Sequence, residues 1–192
     1  HLQRLCRSAT ELGCAAVAPT HARILARLAD HGVFRAGGVL GGTHAFIAYQ
    51  NHLGIHWSAA TRTLDIDFAH PGRNISIAMP SGLTIDTRGA IESLQMGFVP
   101  NLAQTTYTKT DEPDLQLDFV TTRVAANDRP IHLPDLQVTL QPLKFMEYSL
   151  EDTLQGVLLS RRGPLVVNLP QPQRYALHKL IVQEKRPQPG NM

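Results

Sequence analysis

Two aspartates one residue apart, Asp65 and Asp67 in "TLDIDFA" (63–69), carry the plainest chemistry in this chain. On a strand, positions i and i+2 share a face, with Cα atoms about 6.5–7 Å apart. Two like charges that close repel, and one keeps its proton unless something compensates. A divalent cation compensates, and Mg²⁺ favours hard oxygen ligands while retaining waters and phosphate oxygens. A third acid lies in "DLQLDFVTT" (114–122), where Leu115, Leu117 and Phe119 take one face and Gln116, Asp118 and Val120 the other. A two-ion site needs ions about 3.5–4 Å apart and a bridging carboxylate, so Asp118 is the natural third ligand if its strand neighbours the first. Upstream, Gly41 and Gly42 stand at the head of "THAFIAYQNHL". Without Cβ atoms they let backbone approach a ligand, and the amides opening the next helix suit an anion. Metal on one side and a helix N-terminus on the other is what a triphosphate requires.

Each piece alone has a plainer reading: Gly-Gly as a strand-to-helix turn, Asp-x-Asp as a solvated strand face, Asp118 as a surface acid. Their order is more specific, and it depends on the elements around them. Residues 1–12 carry Leu2, Leu5 and Leu12 in a helical pattern ending near Gly13. "APTHARILARLADHG" (18–32) predicts a helix capped by Thr20, with Ile24, Leu25 and Leu28 as its stripe and Gly32 as its stop. "VFRAGGVL" (33–40) reads as a short strand, closed by the double glycine, with a helix following at once. "TRTLDIDFA" alternates strictly, putting Leu64, Ile66 and Phe68 opposite the two acids. "HPGRN" and "PSG" are loop chemistry around the apolar run "ISIAM". "TRGAIESLQMGF" predicts a helix closed by Gly97, and "DEPD" a turn between the strands "QTTYTKT" and "DLQLDFVTT". Beyond the proline-punctuated connector 124–135 we expect a strand at "LQVTL", a short helix at "SLEDTLQG", a hairpin turning at "SRRG", and a proline-started basic helix, "PQPQRYALHKLIVQEKR". The "RPQPGNM" tail is expected to fray.

The chain has 192 residues, 43% of them hydrophobic and 18% charged, which suits one globular domain with a real core. A net charge of +2 excludes any demand for a polyanionic partner, although nine histidines add positive charge on mild acidification. Cys6 and Cys14 fit neither a zinc site nor a disulfide framework, so free thiols are expected. No apolar run approaches the roughly 20 residues that span a bilayer. No basic-then-apolar leader precedes a cleavage site, and a reducing cytoplasm is the expected location. The chain opens on His1 rather than Met, as a piece of a longer protein would.

The ordered phrases "LGGTHAF", "TLDIDFA" and "LQLDFVT" resemble the polymerase-beta-like nucleotidyltransferase superfamily, whose signature is an apolar residue, Gly, then Gly or Ser, later Asp-x-Asp, and a third carboxylate on a downstream strand. "GGVLGGTHAF", "DIDFAH" and "RYALHKLIV" resemble a bacterial branch of that fold, distantly related to the toxin nucleotidyltransferases of abortive-infection pairs. The resemblance covers residues 20–185 and implies an α+β fold, a mixed sheet flanked by helices with a small C-terminal α/β extension. We accordingly divide the chain into an N-terminal helical segment (1–18), a nucleotidyltransferase core (19–125) and that extension (126–192). It further implies that Gly41, Gly42 and Thr43 hold the phosphates of a nucleoside triphosphate. Asp65, Asp67 and Asp118 would bind Mg²⁺ or Mn²⁺, with Asp118 helping to deprotonate an acceptor hydroxyl. The acceptor could be RNA, protein or a small molecule, and the toxin relation would add an antitoxin partner.

Lys179 in "YALHKLIV" either contacts phosphate or snorkels off an apolar helix face beside Leu177, Leu180 and Ile181. His44 and His70 flank the two motifs, where an acid or ligand role competes with packing in a first helical turn and hydrogen bonding in a loop. His56 and Trp57 read as packing, and Arg161-Arg162 as a solvated hairpin tip. Two other classes fit the same acids: a nucleotidyltransferase-fold binding module without turnover, and a metal-dependent nuclease.

Overall fold

Alternation decides the centre of the molecule. In the computed structural model, which describes residues 1–57, 64–72, 84–123 and 128–185, strand β2 (Asp65–His70) buries Ile66 and Phe68 completely and turns its acids the other way. Strand β5 (Gln116–Thr122) does the same with Leu117 and Phe119. The two run parallel, and Asp67 pairs with Asp118 in the register. Their buried rings meet across the pair, Phe68 stacked on Phe119 with centroids 5.3 Å apart.

Around them a seven-stranded mixed sheet forms. The two-residue β1 (Val39–Leu40) lies antiparallel to β2. The other edge of β5 takes β4 (Thr106–Lys109), followed by β3 (Phe98–Pro100), both antiparallel to their neighbours. Farther along that edge β7 (Val138–Leu143) pairs parallel with β5, and β6 (Ile131–Leu133) pairs antiparallel with β7. The sheet therefore continues across the 124–135 connector. Helices α2 (Pro19–Asp30), α3 (Gly42–Leu53) and α4 (Thr87–Glu92) join the Ile66/Phe68/Leu117/Phe119 face in the main core. The opposite face carries a smaller cluster, Val39, Ala69 and Val120 against Met146 and Leu150 of α5 (Met146–Leu150). A separate hairpin, β8 (Thr153–Ser160) and β9 (Gly163–Pro170), turns between Ser160 and Gly163, as "SRRG" predicts, and adds Leu158, Val167 and Leu169 to the main core. The N-terminal α1 (Leu2–Glu11) lies on this hairpin, and α6 (Pro172–Lys185) follows it.

Several local expectations are corrected. Only Val39 and Leu40 of the 33–40 segment are extended; positions 31–37 are turns, because backbone bonds such as Ala36 N–H to Gly32 O and Gly38 N–H to Val33 O close the chain on itself. Thr20 lies inside α2, whose start is Pro19 with Ala18 at the cap and no side-chain cap bond. The helix at "TRGAIESLQMGF" ends at Glu92, well before Gly97, with Gln95 in a left-handed conformation (φ 52°). "SLEDTLQG" is not a helix: Ser149 and Leu150 close α5, and Thr153 onward is strand β8, drawn out by its partner β9. The "ISIAM" run and the "RPQPGNM" tail lie outside the described residues. Cys6 and Cys14 are free thiols, and no helix among the described residues is long and apolar enough to cross a membrane.

Asn168 of β9 fastens the hairpin to the turns before β1, its Nδ2 donating to Phe34 O (2.6 Å) and Gly38 O (2.9 Å). Loss of both bonds takes the Asn168 donor from Gly38 O and leaves Phe34 O with its 3.2 Å bond from Gly37 N–H. Asn168→Ala is therefore expected to cost about 1–3 kcal/mol in urea unfolding; an unchanged midpoint would mean that water replaces the amide without penalty.

Candidate active site

The acids that face away from the core converge. Ligand atoms of Asp65, Asp67 and Asp118 all lie within 4.8 Å of one another. Parallel pairing of β2 and β5 causes this, since it sets Asp67 beside Asp118 and leaves Asp65 two residues back on the same face. Thr106 of neighbouring β4, paired with Asp118 in the register, donates its hydroxyl to Asp118 Oδ1 at 2.6 Å and so fixes that carboxyl's rotation. Three hard oxygens at this spacing suit a Mg²⁺-sized ion. With metal–oxygen distances of about 2.0–2.1 Å, opposite ligands stand about 4.2 Å apart, close to what the triad offers. Asp65 is exposed and the other two half-buried, so solvent or substrate oxygens can complete the shell.

The double glycine meets this cluster edge-on. Gly41 N–H donates to Asp67 O (2.9 Å), and Gly41 O accepts the first helical bond of α3 from Ala45. Gly42 opens the helix with φ 53°, a left-handed value, and a Cβ there would run into the Asp67 carboxylate. Glycine is thus demanded twice, by backbone conformation and by contact.

From this corner a cleft of about 430 Å³ extends across the sheet face. Gly41, Gly42 and Asp67 form one end, Ala69 and Val120 the floor, and α5 the far wall. One face of α6, at the helical spacing Tyr175, His178, Lys179, Val182, forms a side. Tyr175 donates its hydroxyl to Gly42 O at 2.8 Å, and burial, followed by the charge of Asp67, raises the phenol above its ordinary range. Lys179 Nζ sits 5.4 Å from the Tyr175 ring centroid, within cation–π range. Lys179 therefore faces the cleft, while Leu177 and Leu180 are exposed to solvent. Thr43, Asp65 and Asp118 do not line the cleft; Thr43 follows Gly42 in α3, and the two acids adjoin Asp67. Tyr175 and Thr106 are absent from the motif reading. Tyr175 stands four residues before Lys179, on the same helical face, which is the one local sign that could have exposed it.

The histidines that flank the two motifs, His44 and His70, make structural contacts. His70 Nε2 donates to Ala36 O (2.9 Å) and its Nδ1 accepts from Gly72 N–H (3.0 Å), which fixes a neutral ring. His44 is fully buried, with Nε2 3.0 Å from Nδ1 of His21 and no partner for its own Nδ1 among the described residues. Donation from His44 Nε2–H leaves a bare lone pair at Nδ1 rather than a stranded N–H, and so is the favoured tautomer. Burial, reinforced by His21, pulls the His44 pKa down to about 3. Trp57 stacks on Phe46 at 4.7 Å, a packing contact. Arg161 and Arg162 are exposed at the hairpin tip.

A family model described as "Nucleotidyltransferase" matches residues 19–192 of the chain. No curated protein and no solved structure matches it.

Two measurements test the local physics. Gly42→Ala should displace the Asp67 carboxylate and weaken whatever divalent-cation affinity the triad has at least about tenfold, read by calorimetry with Mg²⁺ and Mn²⁺; unaltered affinity would refute the steric argument. His44 and His70 have lowered pKa values in the fold, so each contributes stability that is complete above the ordinary 6.5 and drains away as pH falls toward the folded value. The urea midpoint should thus drop between about pH 7 and about pH 5, and less steeply in His44→Gln. Parallel profiles for the two proteins would exclude His44 as a source.

Proposed function

The chain belongs to the nucleotidyltransferase family, and we propose that it transfers a nucleoside monophosphate from a nucleoside triphosphate to a hydroxyl of an acceptor. The observation that carries this reading is the convergence of Asp65, Asp67 and Asp118 beside the Gly41-Gly42 turn. An intact triad favours turnover over a binding module that has lost its acids.

In this reading Asp65, Asp67 and Asp118 would hold Mg²⁺, which when bound supplies charge neutralisation on the phosphates. Gly41, Gly42 and the first-turn amides of α3, with Thr43, cradle the phosphate chain. Lys179 adds a point charge from the facing helix, and Tyr175 braces the Gly42 carbonyl so that the turn keeps its shape. The acceptor oxygen attacks the α-phosphorus in line, its proton passing to Asp118, whose other oxygen is engaged by Thr106. The bond to the β-phosphate oxygen breaks, and pyrophosphate leaves. The protein contributes position and charge, the main levers in phosphoryl transfer.

The test is incubation with each α-labelled triphosphate, Mg²⁺ or Mn²⁺ and a cell extract. We expect label on a macromolecule or small acceptor with release of pyrophosphate, and a fall of more than about a hundredfold in Asp67→Asn and Asp118→Asn. Transfer that survives both substitutions would overturn the proposal, and shortened nucleic acid without a triphosphate requirement would point to a nuclease instead.

A further inference from the structure

The far end of the cleft holds a polar atom that the fold itself does not use. Ser149 of α5 is 2% exposed and lines the cleft, yet its hydroxyl has no hydrogen-bond partner among the described residues. The cleft residues contributed by the floor and by its own helix are apolar, Ala69 and Val120 on the strands and Met146 and Leu150 on α5, with Lys144 lining the cleft just before that helix. A buried hydroxyl without a partner is costly, and a fold keeps one most readily where a ligand completes it.

The layout indicates which part of a ligand arrives there. Ala69 and Val120 stand two residues beyond Asp67 and Asp118 on the same two strands, about 6.5–7 Å farther along. A triphosphate held at the carboxylates and the Gly41-Gly42 turn would therefore extend its uncharged end over an apolar floor toward Ser149. Flat, uncharged and edged with hydrogen-bonding groups, a nucleobase fits such a wall, whereas a ribose would need several polar partners.

We propose that Ser149 is a specificity-determining residue: its hydroxyl meets the edge of the nucleobase of the bound triphosphate, in the apolar end of the cleft. This rests on the nucleotide-transfer reading and deepens it. A hydroxyl both donates and accepts, so it can pair with any base edge but rewards the one whose geometry fits, and the four triphosphates should bind unequally.

The experiment compares the native chain with Ser149→Ala, a substitution that suits a helix. Affinities are measured with Mg²⁺ for the four nucleoside triphosphates and for inorganic tripolyphosphate, which reaches only the phosphate end. We expect Ser149→Ala to lose about three- to tenfold in affinity for the best-bound triphosphate, to narrow the spread among the four, and to leave tripolyphosphate unchanged. The melting temperature of the free variant should stay level or rise, since an unpaired buried hydroxyl has been removed; a purely structural role would lower it. Equal losses for tripolyphosphate and nucleoside triphosphate, or no loss for either, would overturn the inference. Native protein that binds tripolyphosphate as tightly as any nucleoside triphosphate would also overturn it, while sparing the transfer reading. Failure to bind either ligand would remove both.

Discussion

Parallel pairing of two short strands is the constraint from which the rest of this molecule follows. With β2 and β5 in register, a period of two sends Ile66, Phe68, Leu117 and Phe119 to one side and Asp67 and Asp118 to the other. A slip of one residue would put carboxylates into the main core and phenylalanines into solvent. The hydrophobic face thereby locks the geometry of the acidic one, and stacked Phe68 and Phe119 are the lock. Crowded carboxylates are unfavourable by themselves, and the burial on the reverse face is what holds them together in the absence of a cation.

A second layer of design concerns the glycine turn. Gly42 has a left-handed backbone pressed against Asp67, a conformation that could relax if left alone. It is held from both sides, by the Gly41 N–H bond to Asp67 O and by the Tyr175 hydroxyl on Gly42 O. Tyr175 in turn leans edge-on against Tyr49 of α3, at 5.3 Å. The helix that follows the hairpin is therefore tied to the helix that follows the glycines, and α6 becomes one side of the cleft.

The two ends of the cleft differ in chemistry for a reason visible in the strands. Near the carboxylates the sheet face is charged; two residues on it carries Ala69 and Val120, small and apolar, covered by α5. His178, the histidine that lines the cleft, has its pKa lowered by burial and then by the charge of Lys179.

What the sequence by itself determined is what depends on near neighbours along the chain. The Asp65/Asp67 alternation, the glycine pair heading α3, the "SRRG" hairpin and the proline-started α6 are all readable, because side-chain period and turn chemistry act over a few residues. The acidic set was legible for the same reason, since each acid sits in an alternating run. Tertiary structure alone decided that Asp118 lies beside Asp67, that Thr106 orients it and that Tyr175 reaches Gly42. It also made a strand of "TLQG", which has helical appeal in isolation, because β9 offers a full ladder of backbone partners. It left most of 33–40 as turns, where local hydrogen bonds outcompeted extension. Contacts between residues far apart in sequence carry no periodic signature; they exist only once burial has fixed which faces meet.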